Sequence, residues 1–172
     1  MLDVRKLNLD GPEQPVERRE VRQPLPLATT RYANWKPELG YLPVGVTVGR
    51  ARFFKHPYES IPALAPWELM KGPLANIDNI AVERIVYFER LRVYEHEILA
   101  GLQELAARYP DTPACLLCFE KVAELGEACH RRWFAEWAEK RWGWEIPELA
   151  APAGTAPARP SRPKPEAPPT LF

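Results

Sequence analysis

The chain has 172 residues, 46% of them hydrophobic and six of them tryptophan, enough to bury one core and too few for a second domain of ordinary size. Its 23 basic and 23 acidic residues cancel, which excludes a global basic field of the kind that holds proteins on nucleic acid or anionic membranes. The opening MLDVRKLNLDGPEQ has no apolar core behind a basic start, and no later apolar run nears the roughly 20 residues of a spanning helix, so no membrane contact is expected. Three tightly clustered cysteines, an odd number, do not make a secreted disulfide framework; free thiols in a reducing, cytoplasmic setting are expected.

Residues 1–24 are charged and proline-interrupted, and form an arm that wraps the domain or stays mobile. Leu25 to Ala33, LPLATTRYA, predicts a first strand, and Pro43 to Phe54, PVGVTVGRARFF, a second, with NWKPELGYLP as the loop between them. HPYESIPALAPWELMKGPLANID has no sustained period and predicts a surface crossing with one helical turn around PWELM.

The strongest helical signal follows. Apolar residues at Ile80, Tyr87, Leu91, Tyr94, Ile98, Leu102, Leu105 and Tyr109 keep the three-and-four spacing of one face and predict a single long helix, capped by Asp78 or Asn79 and stopped by Pro110. ACLLCF, Ala114 to Phe119, is short, apolar and bounded by turn residues, a strand buried on both faces. GEACHRRWFAEWAEKRWGW predicts a helix starting near Glu127 or Ala128 and ending near Gly143. From 150 to 172 prolines recur at 152, 157, 160, 163, 165, 168 and 169, an extended, disordered Ala/Pro-rich tail. The order predicts an α/β fold: a single small three-layer-like domain over residues 25–149 with a short, mostly parallel sheet, one long helix and a C-terminal helix, flanked by flexible tails.

The chemistry concentrates in ACLLCFEKVAELGEACHRRWFAEW, which holds every cysteine of the chain. Cys115, Cys118, Cys129 and His130 have the residue types of a four-ligand zinc set, and a small zinc-binding structural protein is one alternative. Strand alternation argues against it, because residues three apart point to opposite faces; no metal and no cofactor is expected. A helix start places Cys129 among unpaired backbone N–H groups, with His130 and Arg131 adding positive potential; such surroundings lower a thiol pKa and also bind a phosphate. The plainer alternative is that Cys129 is a small buried hydrophobe and His130 a hydrogen-bonded core residue.

Glu120, directly after a buried strand, stands where ligands collect in parallel sheets, as acid/base, helix cap or partner for Arg131. On the helix, Cys129, His130, Trp133, Phe134 and Trp137 share an inward face, while Arg132 and Glu136 form a solvated pair opposite. Trp142 or Trp144 is the better candidate for an exposed, base-stacking aromatic.

LLCFEKVAELGEACHRRWFAEWAEKRWGWEIPEL resembles the signature of the domain of unknown function 488 family: an apolar strand ending in Cys-x-Glu, an acidic loop, Cys-His-Arg opening a helix, and a following Ile/Val-Pro-Glu-Leu segment. The matching positions are Cys118, Glu120, Cys129, His130, Arg131 and Ile146 to Leu149. TTRYAN, VTVGRARFF and YESIPALAPWELM resemble further segments, so the likeness spans roughly Leu25 to Leu149. Gly49-Arg50-Ala51 departs from an expected Gly-x-Pro, and the Asp-Val-Arg strand of other branches has no counterpart in the domain. The resemblance implies a small α/β fold with a polar pocket at strand ends, and no particular reaction.

The expected function is a domain acting on a phosphorylated, nucleotide-like or nucleic-acid ligand. Cys129 would be nucleophile or anion contact, Glu120 the acid/base, His130 and Arg131 charge stabilisers, with Cys118, Thr30, Arg31 and Tyr32 binding at the mouth. The alternative is a non-catalytic interaction protein: Leu171-Phe172 on its proline-rich tether resembles the short peptides that dock into hydrophobic pockets of partners such as replication or repair factors.

Overall fold

The computed structural model describes residues 6–9, 11–72, 74, 75, 77–119 and 129–150. Four strands, β1 (Leu27–Arg31), β2 (Leu42–Gly45), β3 (Glu59–Ser60) and β4 (Ala114–Cys118), form one all-parallel sheet in the order β1-β4-β2-β3. The most apolar strand takes an interior position, paired with β1 from Leu27↔Ala114 to Arg31↔Cys118 and with β2 from Leu42↔Ala114 to Gly45↔Leu117. Every residue of β4 is buried, as a strand covered on both faces must be.

Its alternation divides the core. Ala114, Leu116 and Cys118 face the helices, α1 (Trp67–Met70), α2 (Ile80–Val93), α3 (Glu95–Arg108) and α4 (His130–Trp142), while Cys115 and Leu117 face Ala28, Tyr32, Trp35 and Phe54 under loops. The fold is therefore α/β, with a helical layer, the sheet, and a third layer made of loop.

The predicted second strand stops early. Only Leu42–Gly45 pairs; after it the Thr47 hydroxyl donates to the Gly49 carbonyl at 2.8 Å and turns the chain, so residues 46–54 are loop despite their β-branched composition. The surface crossing contains the expected helical turn, α1, and also the two-residue strand β3. The single long helix is two helices. Asn79 caps the first, its side-chain oxygen accepting from the Ala81 and Val82 N–H groups, and the axis breaks at Tyr94, where φ is −99° and ψ 17°.

Buried partners hold that break from both sides. Arg90 donates to both Glu68 carboxylate oxygens at 2.8 Å and to the Ala63 and Pro62 carbonyls. Glu95 accepts from Arg141 and from the Trp142 indole. On either side of the break, α2 lies on α4 and α3 packs beside Ile61 and Leu64.

The N-terminal arm lies on the domain. Val16 and Val21 pack against the core, the Arg19 N–H donates to the Arg141 carbonyl, and the Trp144 indole donates to the Val21 carbonyl at 2.7 Å. No helix among the described residues is long and apolar enough to cross a membrane.

Candidate functional site

The carboxyl ends of β1 and β4 meet the amino end of α4. Cys118 is the last residue of β4 and Cys129 the N-cap of α4, which starts at His130, two or three residues later than the sequence predicts. Their sulfurs lie 3.6 Å apart, and both residues are buried, Cys118 wholly and Cys129 to 1% exposure. Arg131 points back over this pair. One terminal nitrogen, Nη1, donates to both sulfurs, at 2.5 Å to Cys118 and 3.1 Å to Cys129.

The other side of the guanidinium faces a carboxylate. Nη2 donates to Glu148 Oε1 at 2.7 Å and Nε to Oε2 at 3.3 Å, the forked geometry that only arginine supplies. Glu148 reaches this place because Gly143, at φ +74°, ends α4 and turns the chain back along the outer edge of β1. There Thr29 N–H donates to the Pro147 carbonyl and Leu149 N–H to the Thr29 carbonyl, a parallel bridge pairing Thr29 with Glu148. The Thr29 hydroxyl donates to Glu148 Oε2 at 2.6 Å and accepts from Arg132, which also donates to the Ile146 carbonyl.

Arg131 is wholly buried, while the Glu148 side chain is 30% exposed, so one end of the network touches water. Burial works against the arginine charge, but the Glu148 hydrogen bond and the adjacent Cys118 and Cys129 outweigh it and hold the guanidinium above its usual pKa. Cys115 is different. It lies on the opposite face of β4, and burial foremost, with Glu148 adding, pushes its thiol up to about 12.

A cleft of about 570 Å³ opens beside this network at the carboxyl ends of β2 and β3, lined among others by Gly45, Thr47, Arg50, Tyr58, Ser60 and Trp67. Gly45 is required there: a Cβ would meet the Tyr32 hydroxyl at 2.5 Å and the Tyr58 ring at 2.8 Å. Arg50 and Trp67 are exposed, and Arg50 has no carboxylate partner among the described residues. His130 joins the two regions, its Nε2 lying 2.9 Å from the Val46 carbonyl at the head of the cleft loop and its ring packing edge-on against Tyr87.

Of the predicted site residues, Cys118, Cys129 and Arg131 come together and His130 stands next to them. Thr30 is buried, donating to the Leu149 carbonyl at 3.2 Å. Tyr32 is buried among Phe53, Phe54, Tyr58 and Phe119, its hydroxyl 3.3 Å from that of Thr47. Arg31 is half-buried, and its Nε has no hydrogen-bond partner among the described residues. Glu120, Leu171 and Phe172 lie outside the described residues.

Two expectations on α4 are corrected. Arg132 and Glu136 do not pair: Arg132 turns to Thr29 and Ile146, and Glu136 holds Arg84 and Lys140. Trp142 and Trp144 are buried like Trp133 and Trp137, packed against one another at a tilt of 42° with ring centroids 4.3 Å apart. The sequence assigns no role to Glu148, Thr29, Arg50 or Trp67, although each lies inside a segment that resembles the family: Ile146 to Leu149, TTRYAN, VTVGRARFF and YESIPALAPWELM. Among the described residues no three His, Cys, Asp or Glu side chains are grouped to hold a metal. No family profile, curated protein or solved structure matches the chain.

Proposed function

We propose that this domain binds a small phosphorylated molecule of mononucleotide size in the cleft at the carboxyl ends of β2 and β3. One observation carries the reading: an exposed Arg50, with no carboxylate partner among the described residues, and a half-open Trp67 ring line the same cleft of about 570 Å³, at the place where parallel sheets collect ligands. Arg50 offers a planar fork to a phosphate, Thr47, Tyr58 and Ser60 offer hydroxyls, and Trp67 offers a face to a ring.

A small ligand fits better than a nucleic acid. The chain has no net charge to bind a polyphosphate backbone, and the four tryptophans that alternate with basic residues on and after α4 are all buried. His130 and Arg131 act as positioning residues in this reading. His130 grips the backbone at Val46, and Arg131 ties α4 to the end of β4. The same strand-end placement of the pocket is what the resemblance to the domain of unknown function 488 family implies.

Calorimetry on the full chain tests this with nucleoside monophosphates and sugar phosphates, each against its dephosphorylated counterpart. At least one phosphorylated member should bind measurably more tightly than its counterpart. Arg50→Ala should weaken it about tenfold to a hundredfold, the worth of a charged hydrogen bond. Equal binding of phosphorylated and dephosphorylated forms across the set, or an unchanged affinity in Arg50→Ala, removes the reading.

A further inference from the structure

We infer that Cys118 and Cys129 are a peroxide-responsive dithiol that closes reversibly into an intramolecular disulfide. The inference stands on the thiol pair and does not depend on what occupies the cleft.

Three observations carry it. The sulfurs are already 3.6 Å apart, about 1.5 Å beyond a disulfide bond length, so side-chain rotation rather than unfolding brings them together. They belong to two different elements, the end of β4 and the cap of α4, so a bond between them would fasten the helix start to the sheet. Finally, the nitrogen that touches both is cationic, and a cation beside a thiol favours the thiolate, which is the reactive form. Cys115, as buried as Cys118 but on the opposite face of the same strand, has no cationic nitrogen in hydrogen-bond contact among the described residues, and burial holds its thiol protonated.

The chemistry balances with a peroxide as oxidant. The Cys129 thiolate, at the helix start, attacks one peroxide oxygen; the O–O bond breaks, the sulfur becomes a sulfenic acid, and with one proton taken up the leaving oxygen departs as water. The Cys118 sulfur then attacks the sulfenic sulfur, the S–O bond breaks, the S–S bond forms, and a second water leaves. Two thiols and one hydrogen peroxide thus give one disulfide and two waters. A dithiol reductant reverses the step by exchange, giving its two thiol hydrogens to Cys118 and Cys129 and becoming the disulfide itself.

Arg131 sets the rate through the thiolate, and Glu148 competes for its charge. Replacing the carboxylate by an amide, Glu148→Gln, leaves more of that charge on the sulfurs and should speed oxidation about threefold or more, whereas Arg131→Gln should slow it by at least as much. A cluster that was merely structural would respond to both substitutions in the same direction, since both loosen it.

The test is mass-spectrometric peptide mapping of the native full chain after stoichiometric hydrogen peroxide, with free thiols blocked before digestion, followed by reduction with dithiothreitol. The expected result is a Cys118–Cys129 linked peptide, Cys115 recovered as free thiol, and full return of the pair on reduction. Oxidation of Cys115 at the same rate, a link found only between chains, or three free thiols after treatment overturns the inference. So does a rate that falls in Glu148→Gln as it does in Arg131→Gln.

Discussion

Arg131 has none of its side chain in water, and the carboxylate that meets its charge among the described residues, Glu148, does reach water. The two partners therefore bear unequal consequences when the other is lost. In Glu148→Ala the buried guanidinium loses its forked carboxylate, and breaking a buried ion pair by removing one partner costs about 3–5 kcal/mol. In Arg131→Met the freed carboxylate can turn to solvent, and the apolar replacement fills much of the space between Cys118 and Cys129; the cost expected is about 1–2 kcal/mol. The less buried residue should thus be the more damaging one to remove, the reverse of what burial alone suggests. Urea denaturation of the two variants measures this directly. A larger loss in Arg131→Met would show that packing against the sulfurs, not charge compensation, holds the site together.

At the scale of elements, α2 and α4 are clamped through one carboxylate. Glu136 accepts from Arg84 on α2 at 2.6 and 2.7 Å and pairs with Lys140 on its own helix, and Glu13 of the arm completes the cluster. The Arg84 hydrogen bonds, with Lys140 adding, bring Glu136 down to about 2. A carboxylate lowered on folding contributes stability that is fully present above its unfolded value near 4.5 and is lost as pH falls toward 2. Melting temperatures of the native chain and Glu136→Gln should therefore differ most above pH 4.5 and converge as pH approaches 2; a constant gap across that window means the clamp carries no net charge energy. This clamp also marks what local sequence could tell. Strand β4, the inward face of α4 and its Gly143 stop were legible because apolar runs, helical spacing and a glycine cap are local signals. The break at Tyr94 was not, since the three-and-four spacing runs through it unbroken and what holds it comes from Glu68 and Arg141, distant in the chain. For the same reason helix spacing pairs Arg132 with Glu136, while the fold offers each a better partner from elsewhere. Cys118, Cys129 and Arg131 could be brought together from a strand end and a helix start; Glu148 could not, because its position depends on the chain returning along β1.

For the whole molecule, the arm decides how the open side of the α4 terminus is finished. After Gly143 the chain leaves the helix, and Trp144 is covered by Trp142 and by residues ahead of the first strand: its indole donates to the Val21 carbonyl, and Val16 and Val21 pack against the core. Two further bonds tie the same stretch to α4, Arg19 N–H to the Arg141 carbonyl and Arg141 to the Glu17 carbonyl, both 2.6 Å. Each such bond is worth about 1 kcal/mol net, and ordering the arm offsets part of their sum and of the valine burial. Removing residues 1–24 should accordingly lower stability by about 1–3 kcal/mol, an effect of the size of a few anchors rather than of a lost core element. The specific sign of it is optical. Trp144, buried at 4% exposure, would lose its cover and its carbonyl partner, so tryptophan emission of the shortened chain should move to the red while far-ultraviolet circular dichroism stays that of the full fold. Val21→Ala should give a smaller version of the same loss without the spectral shift, because the Val21 carbonyl that receives the indole is retained. If the shortened chain matches the full one in both denaturation midpoint and emission, the arm merely lies on the domain; if it unfolds outright, the arm is part of the core and the domain begins before residue 25.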